Sequence, residues 1–346
     1  LQGRQIVVAA GSRAVLPPVP GIDSSKVYTN DNVMRMDELP ARMVVIGGGV
    51  IAAEFSHVFS AFGTEVTQLN RSSRLLRGVD EEVVARFEEA AIKQWNIVKN
   101  ASLSEIREND NGSVTVVAKH TTENGEELLE IPADAVLVAT GRRPNTDTLN
   151  AKNYFDVQDG GQLSVDKYQR VLYNGAPVSG VYALGDVSSR YQLKHVANHE
   201  ARVVQHNLSH PEDLRASDHR YVPAAVFSNP QIAVVGMTEE QARQAAEREG
   251  FEITVKAQNF GDTAYGWAME DKIGLCKLIA RKDNGELLGA HLVGEESSVL
   301  IQPLLQAMSF GMDARTLARG QYWIHPALTE IVENALLGLE FNEPAN

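Results

Sequence analysis

The stretch that decides the fold, Val45-Ile46-Gly47-Gly48-Gly49-Val50-Ile51-Ala52, joins a short apolar strand to an amphipathic helix. The strand is predicted over residues 43–46. The helix that follows has an apolar face at the usual 3.6-residue spacing, made by Ile51, Phe55, Val58, Phe59 and Phe62. Gly63 is placed to end that helix, and residues 65–69 are predicted to form the next strand.

Three positions give this turn its chemistry. Gly47 permits a tight turn, Gly49 lets the backbone approach a pyrophosphate, and Ala52 lets the helix pack close to the sheet. The phosphates would lie over the helix N-terminus, where backbone N–H groups have no partner within the helix. A glycine-rich stretch can be a plain turn. Between a strand and a helix, however, it predicts a dinucleotide site.

The residues after the second strand indicate which dinucleotide binds. A carboxylate there would accept hydrogen bonds from a ribose 2′-hydroxyl and favour NAD. This chain instead has Asn70 followed by three arginines, and guanidinium groups suit a 2′-phosphate. The sequence therefore predicts NADPH, with Arg71 and Arg77 as phosphate ligands. The alternative is a solvated basic loop.

The remaining pattern extends this α/β unit along the chain. Strand, helix and strand in this order imply a parallel sheet with right-handed crossovers. Asn124-Gly125 lies between two strand-like runs and predicts a tight hairpin turn. From about residue 216 the strands read as antiparallel, and helices are predicted over residues 239–249, 299–310 and 326–337. The chain thus divides into four blocks, residues 1–35, 36–150, 151–215 and 216–346.

Bulk composition excludes several classes of protein. A length of 346 residues implies two or three domains, and 43% hydrophobic with 22% charged residues is typical of a folded globular protein. A net charge of −13 argues against nucleic-acid binding, which needs clustered cations. No apolar run reaches the ~20 residues that would span a membrane. The single cysteine, Cys276, is consistent with a packed side chain and a reducing, cytoplasmic compartment.

A proton donor is predicted near the C-terminus, where the sequence reads Ile324-His325-Pro326-Ala327-Leu328-Thr329-Glu330. Pro326 suits the first position of a helix. Glu330 would then lie a little over one turn along and could reach back to His325, fixing the imidazole tautomer for proton transfer. The alternative is a structural histidine whose hydrogen bonds are satisfied at the start of a helix, without a role in catalysis. The other histidines, such as His195, His199 and His206, lack a convincing ligand set, so no metal is expected.

Three further motifs occur together with these features. Gly185-Asp186 follows an apolar strand, Thr140-Gly141-Arg142 ends another, and Ala10-Gly11-Ser12 is an earlier counterpart. Taken in chain order, from Gly11 to Gly141 to Asp186, they resemble the motifs of the pyridine nucleotide–disulfide oxidoreductases, and the resemblance covers nearly the whole chain. It implies a glutathione-reductase-like α/β fold. Residues 1–35 and 151–215 would belong to an FAD domain, 36–150 to an NADPH domain and 216–346 to a dimerisation domain.

The resemblance also implies cofactors, partners and roles for individual residues. It implies FAD and NADPH, a homodimer and a small-molecule disulfide substrate. Asp186 matches the carboxylate that binds the flavin ribityl chain, and the backbone at Lys194 matches a flavin contact. Gly141 and Arg142 belong to a cofactor-binding motif, and Glu54 matches a carboxylate that pairs with a lysine beside the flavin. His325 and Glu330 match a catalytic pair that reaches into the partner subunit's site.

One requirement of the family is not met by these residues. A disulfide reductase needs a redox-active cysteine pair near a flavin-binding glycine turn, and this sequence has one cysteine and starts at Leu1 within a predicted strand. The N-terminal part is therefore expected to be absent, and the chain alone is expected to be inactive. Residues 194–202, 264–270 and 320–326 indicate one subgroup of the family. The alternatives are a glutathione-type or dihydrolipoamide reductase, or a non-catalytic dimer that binds NADPH.

Overall fold

The computed structural model describes residues 3–342. Within them, the strands in chain order are β1 (Ile6–Val8), β2 (Ser12–Ala14), β3 (Val27–Tyr28), β4 (Arg42–Ile46), β5 (Glu65–Leu69), β6 (Asn96–Val98), β7 (Ala101–Glu108), β8 (Val114–Thr122), β9 (Gly125–Ala133), β10 (Ala135–Val138), β11 (Arg142–Pro144), β12 (Arg170–Tyr173), β13 (Ala176–Ala183), β14 (Ala224–Val226), β15 (Gln231–Gly236), β16 (Ile253–Asn259), β17 (Leu275–Arg281) and β18 (Leu287–Gly294).

The α-helices of the same residues are, in chain order, α1 (Val50–Ala61), α2 (Glu81–Ala91), α3 (Lys194–Ser209), α4 (Glu239–Glu249), α5 (Ala264–Ala268), α6 (Ser297–Leu300), α7 (Gln302–Phe310), α8 (Ala314–Arg319) and α9 (Glu330–Leu337). The chain divides into two compact units. One contains the residues up to Val15 together with Gly141–His219, and the other contains Leu16–Thr140 together with the residues from Arg220 onward.

The first unit is built on a three-stranded sheet in the order β1-β13-β12. Strands β1 and β13 run parallel, whereas β12 pairs antiparallel with β13. A two-stranded pair, β2 with β11, brings Arg142 opposite Ala14. After β13 the chain makes a short 3-10 turn over Gly185–Val187 and enters α3. The 3-10 turn over Gly185–Val187 therefore lies in the short connection between the end of β13 and the start of α3.

The second unit contains a parallel five-stranded sheet in the order β3-β10-β4-β5-β6. Side chains of β4 alternate between two apolar layers. Met43 and Val45 pack on the side that holds α1 and α2, and Val44 and Ile46 pack on the side covered by the antiparallel sheet β7-β8-β9. Burial of both faces explains why residues 43–46 of β4 and all of β10 are continuously apolar.

The same unit contains an antiparallel sheet in the order β14-β15-β18-β17-β16. One face of it packs against α7, α8 and α9 through a large buried cluster. The cluster includes Leu278 and Leu292 from the sheet, and Leu304, Leu317 and Ile331 from the three helices. This packing fixes where α9 begins, and so fixes the position of the segment just before it.

Most predicted elements are present, including the parallel sheet, the 124–125 hairpin turn and the helix Glu239–Glu249. Two predictions of helix bounds are wrong. The helix predicted to begin at Pro326 begins at Glu330, because residues 326–329 form a turn in which the Glu330 amide donates to the Ala327 carbonyl. The helix predicted over 299–310 is interrupted at Ile301, and it restarts with Pro303 in its first turn, where a missing N–H costs little.

Candidate active site and cofactor sites

The glycine turn between β4 and α1 has the shape that its sequence predicts. Gly47 has φ +142°, and a Cβ there would lie 2.3 Å from the Ala139 carbonyl oxygen, so no other residue fits. Gly49 is the N-cap of α1, and a Cβ at this position would meet nothing within 4 Å. Among the described residues, no side chain caps this helix. The open space and uncapped amides fit a phosphate group.

Asn70 organises the loop that follows β5. Its buried side-chain amide donates to the carbonyls of Ser72 and Arg74, at 2.8 and 2.9 Å. A Cβ at Gly48 would lie only 2.2 Å from Asn70 Oδ1, so this side chain also packs against the glycine turn. Sequence reasoning used Asn70 only as a missing carboxylate. In the structure it holds the arginine loop against the nucleotide turn.

The three arginines of this loop face different surroundings. Arg71 and Arg77 are exposed, and Arg77 Nε donates to Ser72 Oγ at 3.1 Å. Arg74 turns inward, and its Nη2 donates to the Val79 carbonyl. The inward position of Arg74 leaves two of the three guanidinium groups exposed in this loop. The exposed pair are the two arginines predicted as ligands.

In the first unit, three distant motifs meet at Asp186. Ser12 Oγ donates to Asp186 Oδ2 at 2.6 Å. Arg142 in turn donates from Nε to Ser12 Oγ and from Nη2 to the Ser12 carbonyl, each at 2.8 Å. Gly141, with φ +147°, makes the turn that leads into Arg142. The half-buried carboxylate of Asp186 is thus oriented by its neighbours and is suited to accept hydrogen bonds from the hydroxyls of a ligand.

Lys194 and Glu54 lie on helices. Lys194 is the exposed first residue of α3, and no side chain of the described residues caps that helix. Glu54 lies in α1, and its Oε1 accepts a hydrogen bond from the Phe227 amide at 2.9 Å. Burial raises the pKa of Glu54, and the Phe227 amide partly offsets this effect. The partner found for Glu54 is therefore a backbone amide just after β14, which sequence reasoning did not anticipate.

The predicted proton donor is an exposed imidazole held by a half-buried carboxylate. His325 Nδ1 lies 2.7 Å from Glu330 Oε1, with the His325 side chain 68% exposed and the Glu330 side chain 17% exposed. Glu330 Oε2 also accepts from the Ala327 amide at 3.2 Å, which folds the carboxylate back over the turn. The hydrogen bond from His325 lowers the pKa of Glu330. Because a carboxylate accepts, Nδ1 carries the proton and Nε2 is the nitrogen left for proton exchange.

Cys276 is fully buried on β17, and this burial strongly raises the pKa of its thiol, as expected of a packed side chain. Residues 3–342 contain no group of three or more histidine, cysteine or acidic side chains that could hold a metal ion. No helix over the same residues combines the length and apolar character needed to cross a membrane.

Comparison with known proteins matches two family models to successive parts of the chain. The family described as "Pyridine nucleotide-disulphide oxidoreductase" matches residues 1–201, and "Pyridine nucleotide-disulphide oxidoreductase, dimerisation domain" matches residues 222–336. Mycothione reductase of Mycobacterium tuberculosis is 51% identical over 340 residues, which cover 97% of this chain and 70% of the relative. Dihydrolipoyl dehydrogenase of Synechocystis is 32% identical over 336 residues, with the same two coverages.

The fold has solved counterparts. The HOCl-induced flavoprotein disulfide reductase RclA of Escherichia coli superposes with a TM-score of 0.85 at 29% identity, covering 98% of this chain and 74% of that one. LpdA of Mycobacterium tuberculosis superposes with a TM-score of 0.82 at 24% identity, covering 96% of this chain and 69% of that one. The second likeness is one of fold alone.

Proposed function

The chain belongs to the pyridine nucleotide-disulphide oxidoreductase family, and on this basis we propose that it acts as an NADPH-dependent flavoprotein reductase of mycothione. Its fold is the glutathione-reductase-like α/β fold with a C-terminal dimerisation domain, as predicted. The proposed domains are those of the sequence analysis, with boundaries near residues 35, 150 and 215.

FAD and NADPH are the proposed cofactors. For NADPH, the uncapped α1 N-terminus at Gly49 would meet the pyrophosphate, beside Gly47 and Ala52, and the exposed Arg71 and Arg77 would meet the 2′-phosphate. For FAD, the proposed contacts are Gly141, Arg142, Asp186 and the backbone at Lys194, all in the first unit. Glu54 keeps its separate proposed role of pairing with a lysine. When bound, the flavin supplies the two-electron carrier between the nicotinamide and a redox dithiol.

The contact between His325 and Glu330 is the observation that carries the proposal. A dithiol attacks the substrate disulfide, forms a mixed disulfide with one half and releases the other half as a thiolate. His325 would protonate that thiolate, while Glu330 holds the imidazole tautomer through the 2.7 Å contact at Nδ1. The dithiol itself is not among these 346 residues, which include one cysteine. Activity therefore requires a protein that combines these residues with the dithiol.

The substrate is proposed from the 51% identity to a mycothione reductase. A dihydrolipoamide reductase is the second candidate, since relatives named dihydrolipoyl dehydrogenase are 30–34% identical to this chain. The arginine loop counts against it, because exposed guanidinium groups after β5 favour NADPH over NAD. A non-catalytic dimer is disfavoured because the His325–Glu330 pair lies in a chain that is 51% identical to a mycothione reductase.

The assembly and compartment belong to the same proposal. Residues 222–336 match a dimerisation domain, which supports a homodimer in which His325 serves the partner subunit's dithiol. No nucleic-acid or membrane partner is proposed, in keeping with the net charge of −13. A reductase that keeps a thiol in its reduced form would work in a reducing, cytoplasmic compartment.

The test separates the two half-reactions of the enzyme that contains the dithiol. We expect His325→Gln to lower mycothione turnover by about 10²–10⁴-fold, the usual worth of positioned proton transfer. Reduction of the flavin by NADPH, followed by stopped-flow absorbance, should be unchanged. His120→Gln is the matched control, because His120 Nδ1 also contacts a carboxylate, Glu127 Oε1, at 3.0 Å. Unimpaired turnover in His325→Gln, or faster turnover of lipoamide or glutathione disulfide in the wild type, would contradict the proposal.

A further inference from the structure

Helix α3 carries a charged residue on its buried face. The buried positions of this helix are Val196, Glu200, Val203, Val204 and Asn207, which follow the spacing of a single apolar face. Glu200 is only 1% exposed. A carboxylate is rarely buried in this way unless hydrogen bonds satisfy its oxygens, since transfer of an unpaired charge out of water is costly. The hydrogen bonds of Glu200 therefore indicate which part of the structure it stabilises.

One oxygen of this carboxylate is bound to the turn that carries Asp186. Glu200 Oε2 accepts a hydrogen bond from the Gly185 amide at 2.7 Å, in a fully buried contact. The other oxygen, Oε1, lies 3.1 Å from Nε2 of His219, within ion-pair distance but outside hydrogen-bond angles. The imidazole of His219 is about one third exposed, so it screens the carboxylate from solvent on that side. The strong contact of Glu200 is thus the one with Gly185.

Gly185 is held closely against α3. It has φ +72°, a conformation that favours glycine, and a Cβ there would lie 3.4 Å from the Cβ of Ala197. Its amide points to Glu200, and the next residue is Asp186. Ser12 Oγ donates a hydrogen bond to the Asp186 side chain at 2.6 Å. The turn is therefore held through the Gly185 backbone by Glu200 and through the Asp186 side chain by Ser12.

We propose that Glu200 is a positioning residue for the flavin, fixing the Gly185-Asp186 turn against the first turns of α3. The inference rests on the proposed function, in which Asp186 and the backbone at Lys194 contact the flavin. Glu200 lies on the same helix as Lys194 and binds the residue before Asp186. One buried carboxylate therefore sets the distance between two flavin-contacting segments without touching the flavin.

The chemistry of the contact predicts how substitutions rank. Glu200→Leu removes the acceptor and leaves the Gly185 amide buried without a partner, so the turn should relax away from α3. Glu200→Gln keeps a carbonyl oxygen at the same reach and should preserve most of the positioning. A role that depends only on filling the apolar face would give the opposite order, because leucine suits that face better than an amide.

The experiment measures flavin affinity in the purified holoenzyme, from the flavin fluorescence released on serial dilution, together with the melting temperature. We expect Glu200→Leu to raise the flavin Kd by about tenfold or more, and Glu200→Gln to stay within a few-fold of the wild type. The matched control is Asn207→Leu. Asn207 is buried on the same helix face, and its amide binds the carbonyls of Tyr168 and Arg215 at 3.0 and 2.9 Å. Asn207→Leu should therefore lower the melting temperature and leave the flavin Kd unchanged.

The outcomes separate this inference from the proposed function. If the wild type binds flavin and Glu200→Leu binds it equally well, Glu200 does not position the turn, and only this inference is overturned. Equal losses of flavin affinity in Glu200→Leu and Asn207→Leu would also overturn it, because both would then act through the stability of α3. A wild-type holoenzyme that contains no flavin would refute the proposed function, and this inference with it.

Discussion

Arg71, Arg74 and Arg77 lie in one short loop after β5, yet their side chains have different surroundings. Arg74 is drawn inward by the Val79 carbonyl, and the other two guanidinium groups are exposed. The loop is anchored by the buried amide of Asn70, which binds two of its carbonyls. Arginine therefore stabilises the loop at position 74, whereas at positions 71 and 77 its side chain is exposed and could bind a phosphate.

This difference predicts a change in cofactor preference. Replacing Arg71 and Arg77 by glutamate should raise the KM for NADPH by about tenfold or more, because hydrogen bonds to charged groups are worth roughly 1.5–3 kcal/mol. The KM for NADH, which lacks the 2′-phosphate, should change far less. Steady-state kinetics with both nucleotides would measure the two effects.

Arg74→Met supplies the control for that comparison. It should lower the melting temperature through loss of the contact with the Val79 carbonyl, while the ratio of the two KM values stays the same. If the double glutamate variant weakened both nucleotides equally, or if Arg74→Met also changed the ratio, the assignment of the phosphate site would be wrong.

At the scale of elements, one buried lysine ties the N-termini of two helices. Lys277 on β17 is 5% exposed, and its Nζ lies 3.0 Å from Asp80 Oδ1 and 2.7 Å from Glu239 Oε2. Asp80 is the N-cap of α2, and Glu239 is the first residue of α4. Asp80 Oδ2 also accepts from the Glu239 amide at 3.1 Å. The contact therefore joins the helix layer of the parallel sheet to the antiparallel sheet.

Lys277→Met should destabilise the protein by about 3–5 kcal/mol at neutral pH, because it leaves a buried carboxylate without its cation. Burial alone would raise the pKa of Asp80 and of Glu239, but hydrogen bonds, including those from Lys277, hold both below their ordinary values. Carboxyls with lowered pKa stabilise the fold above their unfolded pKa, and this contribution is lost as pH falls through the folded pKa. The deficit of the variant should therefore shrink in acid, below about pH 4.

Urea unfolding at pH 7 and at lower pH would measure this dependence. Lys93→Met is the control, since Lys93 pairs with Glu89 at 3.6 Å and its side chain is 64% exposed. It should change the free energy of unfolding by no more than about 0.5 kcal/mol at either pH. A deficit in Lys277→Met that stayed constant with pH would mean that lost packing, not charge, is responsible.

At the scale of the whole molecule, the α/β class followed from local patterns, whereas the glutathione-reductase-like fold followed from the resemblance of the motifs. The strand, glycine turn and helix around Gly47, and the antiparallel strands after residue 216, could be read from spacing alone, and both are present. The start of α9 could not, because the Glu330 side chain folds back to the Ala327 amide. Glu200 was missed although its place on an apolar face was visible. Its partner Gly185 lies 15 residues away, and only tertiary contacts bring the two together.

The proposed homodimer predicts complementation between inactive subunits. If His325 serves the dithiol of the partner subunit, a heterodimer of His325→Gln with a variant that lacks the dithiol has one complete site. Random mixing gives one heterodimer in two, so about a quarter of wild-type activity should return. If the histidine serves its own subunit, every site stays incomplete and mixing restores nothing. The two variants measured alone are the controls, and native mass spectrometry reports the fraction of heterodimers.

The burial of Cys276 has a practical consequence for anyone who labels this enzyme. Its side chain is inaccessible on β17, and burial raises the pKa of the thiol and so disfavours the thiolate. The thiolate is the form that reacts with alkylating reagents, so Cys276 is not labelled while the fold is intact. Alkylation at Cys276 then reports unfolding, and labelling of the native, reduced enzyme detects cysteines outside these residues without background from Cys276.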